Sequence, residues 1–301
     1  MTRAETLEQE SRWALPVAVA TLISVALIIG VRFVNSVSGD GDAEVLRSIH
    51  ENGGSVTATG LMQAVAFALL VFPLVYLFRA ARARSPQVRS QLIGLVVVAP
   101  LFLALSAGFA IVSQQEAADQ FVAGEAKSTL TKSEAHEECV EEDESPLRDC
   151  ETTKREDDEA SNARTEASLT PFATGLGLAG GLGLVVALFY TCLWAMRTGL
   201  LSRFWGSLGM ALGIATLFGL IIFLMVWLVY FALLVLGKVP NGRPPAWAAG
   251  EAVPWPTPGE RAAAELEPDD GWDDFEDGPR VEPDDSEDEP PSEPRKRKQR
   301  G

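Results

Sequence analysis

A chain of 301 residues with a formal net charge of −16 carries the charge of a soluble acidic protein, yet 47% of it is hydrophobic and only 22% is charged. Those figures coexist only if charge and apolarity occupy different parts of the chain. They exclude a basic nucleic-acid-binding domain, and three cysteines are too few for a small disulfide scaffold.

In chain order, residues 1–13 form a short N-terminal segment with Arg3 and Arg12, followed by a first apolar run over 14–34. The run exceeds the roughly 7–15 residues of a signal-peptide core and is followed by no small-residue cleavage site. A loop over 35–57 sets Arg47 against Asp40, Asp42, Glu44 and Glu51. The second run covers 58–78, and the segment 79–91 after it holds Arg79, Arg82, Arg84 and Arg89 without an acid. A third run covers 92–112, an acidic segment 113–171, and a fourth run 172–196. Arg197 and Arg203 lie in the short segment 197–203, the last run occupies 204–237, and a tail covers 238–301. A hydrocarbon core of roughly 30 Å takes about 20 helical residues, and every run meets that length. The fold class is all-α: a polytopic helical transmembrane bundle with a disordered acidic loop and a disordered C-terminal tail.

Positive charge in short loops marks the cytoplasmic side. Arg79, Arg82, Arg84, Arg89, Arg197 and Arg203 therefore fix the topology, with the N-terminus cytoplasmic and both acidic loops outside the plasma membrane. Trp13, Trp194 and Trp205 fall at the cytoplasmic ends, where an indole favours the headgroup layer. The last run is ambiguous. Thirty-four helical residues reach about 51 Å, too long for one span, whereas two spans of about 17 are at the lower limit. Continuity, broken only by Gly219, favours one long tilted helix, five spans and a tail outside. Lys238 and Arg243 just beyond favour the alternative of two short spans.

The acidic segment holds 17 acids against 6 bases and lacks aliphatic periodicity after Val122, which predicts a flexible loop, with short helices in it as the alternative. Residues 114–124 extend the third span by two or three turns. Cys139 and Cys150, with ten residues between them, form a candidate disulfide in an oxidising compartment. Cys192 is a small apolar residue of the fourth span. Residues 260–301 hold 16 acids and 7 bases, and Trp272 and Phe275 among the acids make the tail a candidate docking segment for a protein partner.

Gly175, Gly177 and Gly180 spell G-x-G-x-x-G, but inside an apolar span and without the strand-turn-helix context of a dinucleotide site. Gly177 with Gly181, and Gly209 with Gly213, read instead as small-xxx-small faces through which the fourth and fifth spans pack. Pro73 and Pro100 are expected to kink their helices. No Asp, Glu, Lys or His lies in any span, so the groups used in proton relays and intramembrane catalysis are missing there. The stretch from His136 to Cys139, and the acids Asp40, Asp42 and Glu44, lack metal-site spacing. No catalytic, cofactor-binding or metal residue is assigned, and no cofactor is expected. The reading is a non-enzymatic membrane protein with an interaction or structural role, whose partners are the lipid bilayer and a protein reached by the tail, not nucleic acid. The alternative is a transporter or channel for a neutral or lipidic molecule, with the glycine-rich spans as its path.

The segment 242–256, Gly-Arg-Pro-Pro-Ala-Trp-Ala-Ala-Gly-Glu-Ala-Val-Pro-Trp-Pro, with Leu-Gly-Met-Ala-Leu-Gly at 208–213 and Leu-Trp-Ala-Met-Arg at 193–197, resembles a group of uncharacterised actinobacterial multi-span membrane proteins. The resemblance covers the C-terminal third. It implies a proline- and glycine-containing break in the last apolar run, which this chain lacks, and it implies no activity or ligand.

Overall fold

The structure is a computed structural model that describes residues 3–255 apart from 36, 142–146 and 241; the expectations placed on 256–301 lie outside them. Eleven α-helices and no strand occur among the described residues. In order they are α1 (Arg3–Val34), α2 (Asp42–Glu51), α3 (Gly53–Leu69), α4 (Val71–Arg84), α5 (Ile93–Val122), α6 (Lys132–Glu141), α7 (Leu147–Glu166), α8 (Thr170–Arg197), α9 (Arg203–Ala215), α10 (Ile221–Leu236) and α11 (Pro245–Ala249).

Among the described residues four helical stretches are long and apolar enough to cross a membrane: α1, α3 with α4, α5 with the 3₁₀ turn before it, and α8, of 32, 32, 33 and 28 residues. Even the shortest reaches about 42 Å, so each has length to spare beyond a roughly 30 Å core. Their outward faces are apolar, with Leu15, Leu22, Ile29, Leu101, Leu105, Leu178 and Val186 all exposed, as a lipid-facing surface requires. The stretch from α3 to α4 is interrupted at Leu70, three residues before Pro73, whose missing N–H frees a carbonyl in the preceding turn. Pro100 is accommodated within a continuous α5.

The long fifth span predicted for 204–237 is not one helix. A 3₁₀ turn (Thr216–Phe218) and Gly219, at φ +76°, separate α9 from α10. Glycine takes that left-handed conformation without a Cβ penalty, and no proline is needed. The turn satisfies much of its own backbone: Leu220 N–H donates to the Ala215 carbonyl at 3.2 Å, and Thr216 Oγ1 to that of Gly213 at 2.7 Å. The two helices fold back as a hairpin. Trp205, at the start of α9, stacks on Tyr230 of α10 with ring centroids 3.5 Å apart, and Trp227 Nε1 donates to the Trp205 carbonyl at 2.8 Å. At 13 and 16 residues the arms are about 20 and 24 Å long, each short of a full crossing. The turn lies at the level of Gly181, about 16 Å from the first residue of α8. The hairpin thus enters from the end of the bundle where Arg203 lies and turns inside it. The described residues after α10, up to Trp255, return to that end, so the single long helix expected over 204–237 gives way to a re-entrant hairpin.

Two further expectations are corrected. Residues 238–255, assigned to a disordered tail, are ordered against the bundle. Trp247 stacks on Tyr76 with centroids 5.8 Å apart and donates from Nε1 to the Leu200 carbonyl at 2.9 Å. Trp255 Nε1 donates to Leu201 at 2.9 Å, and Val253 N–H to Thr198 at 3.2 Å. The acidic segment 113–171 is likewise not a flexible loop in its described residues. It continues α5 to Val122 and then forms α6 and α7, which assemble with α2 into a cap.

The helix-packing glycines are partly redistributed. A Cβ on Gly209 would meet Cys192 Sγ at 2.6 Å and the Trp227 ring at 3.0 Å, and one on Gly213 would meet Leu188 at 3.2 Å, so α9 does lie close on α8. Gly177 and Gly180, however, face α5, where a Cβ would fall 2.9 Å from Ser106 Oγ and from Leu103. Gly181 alone faces the hairpin, with Leu217 at 3.5 Å. The glycine face of α8 is mostly used by α5, because the shortened hairpin does not extend far enough to cover it. Gly183 packs on α5 as well, whereas Gly175 meets nothing within 4 Å and Gly181 borders a small void beside the hairpin turn.

Candidate functional site

The cap owes its fold to small residues. Ala160, Ala163 and Ala167 follow helical spacing and are buried, and they meet Ala43, Leu46 and Ile49 of α2 and Ala117 and Ala118 of α5. Alanine costs no side-chain entropy on burial and lets helices approach closely. Charges pair around this seam. Arg47 donates to Glu156 at 2.6 Å and lies over the Phe121 ring at 5.4 Å, Arg164 pairs with Asp42, and Ala43 N–H donates to Asp157 at 2.9 Å. Thr131 and Glu134 form a capping box at the start of α6, and these bonds hold the Glu134 carboxyl below its ordinary pKa. Cys139 and Cys150 are joined as a disulfide with Cα atoms 6.0 Å apart, tying α6 to α7.

Beneath the cap, a cavity of about 720 Å³ descends between α3, α5 and α8. Its polar wall includes Thr59, Gln63, Ser106, Gln114 and Thr174, with Asn35, Ser113 and Thr170 toward the cap, and its floor is Phe67 and Leu103. Ser106 Oγ donates to the Ala173 carbonyl at 2.7 Å, and Thr59 Oγ1 to that of Ser55 at 2.9 Å. Gln63 and Gln114 make no hydrogen bond among the described residues and stand exposed to the cavity. Arg164 is the one charged lining residue, and Asp42 neutralises it. The wall therefore offers neutral donors and acceptors. A smaller void of about 110 Å³ lies below, lined by Phe67 and Leu103 again together with Thr216 and Leu217 of the hairpin turn. The cavity has no counterpart in the sequence expectations, whereas the two arms of the hairpin correspond to the alternative of two short segments in the last apolar run, each arm being shorter than a span.

At the opposite end lie the arginines expected to set the topology. Arg79 and Arg82 are exposed, Arg89 N–H donates to Tyr190 Oη at 3.0 Å, Arg197 lies over Trp194 at 5.2 Å, and Arg203 reaches the Trp255 carbonyl at 3.2 Å. Arg84 is not the loop residue it was expected to be. Its side chain is fully buried, pairs with Glu10 through both terminal nitrogens, and donates to the Ala246 carbonyl at 2.9 and 3.0 Å. Arg84 also lies over the Trp247 ring at 5.4 Å. Glu10 is part of α1, whose N-terminal turns run on past the predicted span.

Among the described residues no three His, Cys, Asp or Glu side chains converge as a metal site. His136 pairs with Glu151 at 2.6 Å, Cys139 is in the disulfide, and Glu44 accepts from Asp40 N–H at 3.0 Å. Gly175, Gly177 and Gly180 lie within α8 as helical residues. No family model, curated protein or solved structure matches the chain.

Proposed function

We propose that the chain is a non-enzymatic integral membrane protein that binds a neutral small molecule in the cavity under its acidic cap. The observation that carries this reading is the polar, charge-neutral wall on which Gln63 and Ser106 lie inside apolar spans, with Thr59, Gln114 and Thr174 at the cap-side ends of those spans. Unpaired amides in such a place favour a ligand with hydrogen-bonding groups and no net charge. Two features support an orientation with the basic end in the cytoplasm and the cap outside: the arginines at one end, and a disulfide at the other, which suits an oxidising compartment. The resemblance to actinobacterial membrane proteins adds a bacterial plasma membrane to this reading, and a protein partner for the acidic tail belongs to it as well.

The test uses Gln63→Cys, since Cys192 is buried and the other two cysteines are paired. In intact cells a membrane-impermeant maleimide is expected to label Cys at 63 and to lose that labelling when Ala110→Trp fills the cavity. In purified protein, a panel of neutral solutes is expected to contain members that raise the unfolding temperature of the native chain but not of Ala110→Trp. A folded Gln63→Cys protein that stays unlabelled sinks the reading. Passage across the bilayer is the second reading, favoured because Phe67 and Leu103 both floor the cavity and roof the void above the hairpin turn. Solute flux into vesicles that rises with Phe67→Ala would separate passage from binding.

A further inference from the structure

A groove of about 710 Å³ runs between α1, α4 and α5 at the basic end, on a different face from the cavity under the cap. It is polar at one end and apolar at the other. Arg79 and Arg82, one turn apart on α4, line its mouth with Trp13 across from them on α1. Val17, Val71, Phe72, Val75 and Val97 line its depth. From Val71 to Arg82 the helix rises about 16 Å, the reach from a headgroup well into the acyl region of one leaflet.

The arginines here differ in what they do. Arg84 is consumed by Glu10, so the acid that borders the groove is neutralised within the protein. Arg79 and Arg82 are exposed and make no hydrogen bond or ion pair among the described residues. Two uncommitted guanidiniums over an apolar slot match one amphipathic anion: they present forked donors to a phosphate while the slot takes a chain. An indole at the mouth suits the same depth.

We propose that this groove holds one anionic glycerophospholipid, its phosphate-bearing headgroup between Arg79 and Arg82 and an acyl chain along the Val17, Val75 and Val97 wall. The lipid would brace the N-terminal turns of α1 against α4, the same junction that the Glu10–Arg84 pair closes from the other side. The proposal stands independently of the cavity under the cap.

The full-length protein, purified in detergent, is titrated with phosphatidylglycerol or phosphatidylcholine, and bound lipid is counted by native mass spectrometry. The wild type is expected to retain one phosphatidylglycerol in preference to phosphatidylcholine. Arg79→Gln with Arg82→Gln is expected to weaken phosphatidylglycerol binding roughly thirtyfold, two surface arginines' worth of attraction to anionic lipid, and the already weaker phosphatidylcholine binding by less, so that the preference between the two lipids is lost. Val75→Trp keeps both arginines and the charge pattern needed for insertion, and is expected to abolish the bound lipid by filling the slot. Glycerol phosphate, which lacks chains, is expected not to compete at millimolar concentration. Equal retention of the two lipids, undiminished phosphatidylglycerol binding in either folded variant, or displacement by glycerol phosphate would overturn the proposal.

Discussion

The two ends of this molecule fasten chain segments to the bundle by opposite physics. At the basic end the fastening is mainly buried: the Arg84 side chain is 0% and Glu10 12% exposed, and Trp247 and Trp255 each spend their indole N–H on a backbone carbonyl, with the exposed Arg3–Glu251 pair as a wet addition. At the cap the ion pairs are wet, with Arg47 and Glu156 at 50% and 40% and Arg164 and Asp42 at 32% and 46%. Exposed pairs contribute about 0–1 kcal/mol each and are screened by salt, whereas a buried charge stripped of its partner is costly. The cap must therefore rely on its alanine seam and its covalent link, and the basic end on geometry. Acidic composition alone does not say whether a segment folds; the placement of its few apolar residues does.

The largest effect should come from breaking the buried pair. Glu10→Ala leaves Arg84 charged and enclosed, and is expected to destabilise the detergent-solubilised protein by about 3–5 kcal/mol in thermal or denaturant unfolding. Adding Arg84→Met should recover much of that loss, since the stranded charge goes with it. If Glu10→Ala proves no worse than the double variant, the contrast between the ends fails. Next in size is the cap. Replacing Cys139 and Cys150 with Ser should cost about 2–3 kcal/mol of local stability, seen as faster hydrogen exchange in α6 and α7. The bundle helices should exchange as before, because the link closes a loop within the cap alone.

The spans were legible because length and charge are composition-level signals, and α1, α3 with α4, α5 and α8 follow them. The hairpin was only half legible: Gly219 marked the break and the basic residues beyond it pointed to two short arms, but no polar or proline interruption fixed the turn against one long helix. The cap was missed for a different reason: aliphatic periodicity was sought where alanines at 160, 163 and 167 made the core, and the Thr131–Glu134 capping box announced a helix start that went unread. Glycine spacing identified close helix contacts without identifying partners. That distinction can be sharpened with Gly209→Ala, whose Cβ would press on Cys192 and Trp227, expected to cost about 1–3 kcal/mol by overpacking. Gly175→Ala, which meets nothing within 4 Å, should instead be neutral or gain up to about 1 kcal/mol of helix propensity. Matching losses in the two variants would mean that sequence spacing, not the observed contacts, governs the glycines.

The smallest effect expected is electrostatic and confined to the cap. Asp158 loses some solvation in its position, which raises its pKa, but it accepts from Leu130 N–H at 3.0 Å, Ser128 Oγ at 2.9 Å and Thr129 N–H at 2.6 Å, and these bonds prevail and lower it. A carboxyl whose folded pKa lies below its unfolded value stabilises the fold above that unfolded value, about 3.9, and the contribution disappears as pH falls through the folded one. Protection of the Thr129 and Leu130 amides, corrected for intrinsic exchange, should therefore hold from pH 7 to about 4 and decline below it. Asp158→Asn should lower it at pH 7, where the wild type is charged, and flatten the acid dependence. The Arg84–Glu10 junction should show no change in protection with Asp158→Asn, because the Asp158 bonds lie wholly within the cap. A loss of protection at both ends together would mean that the cap and the basic end unfold as one unit.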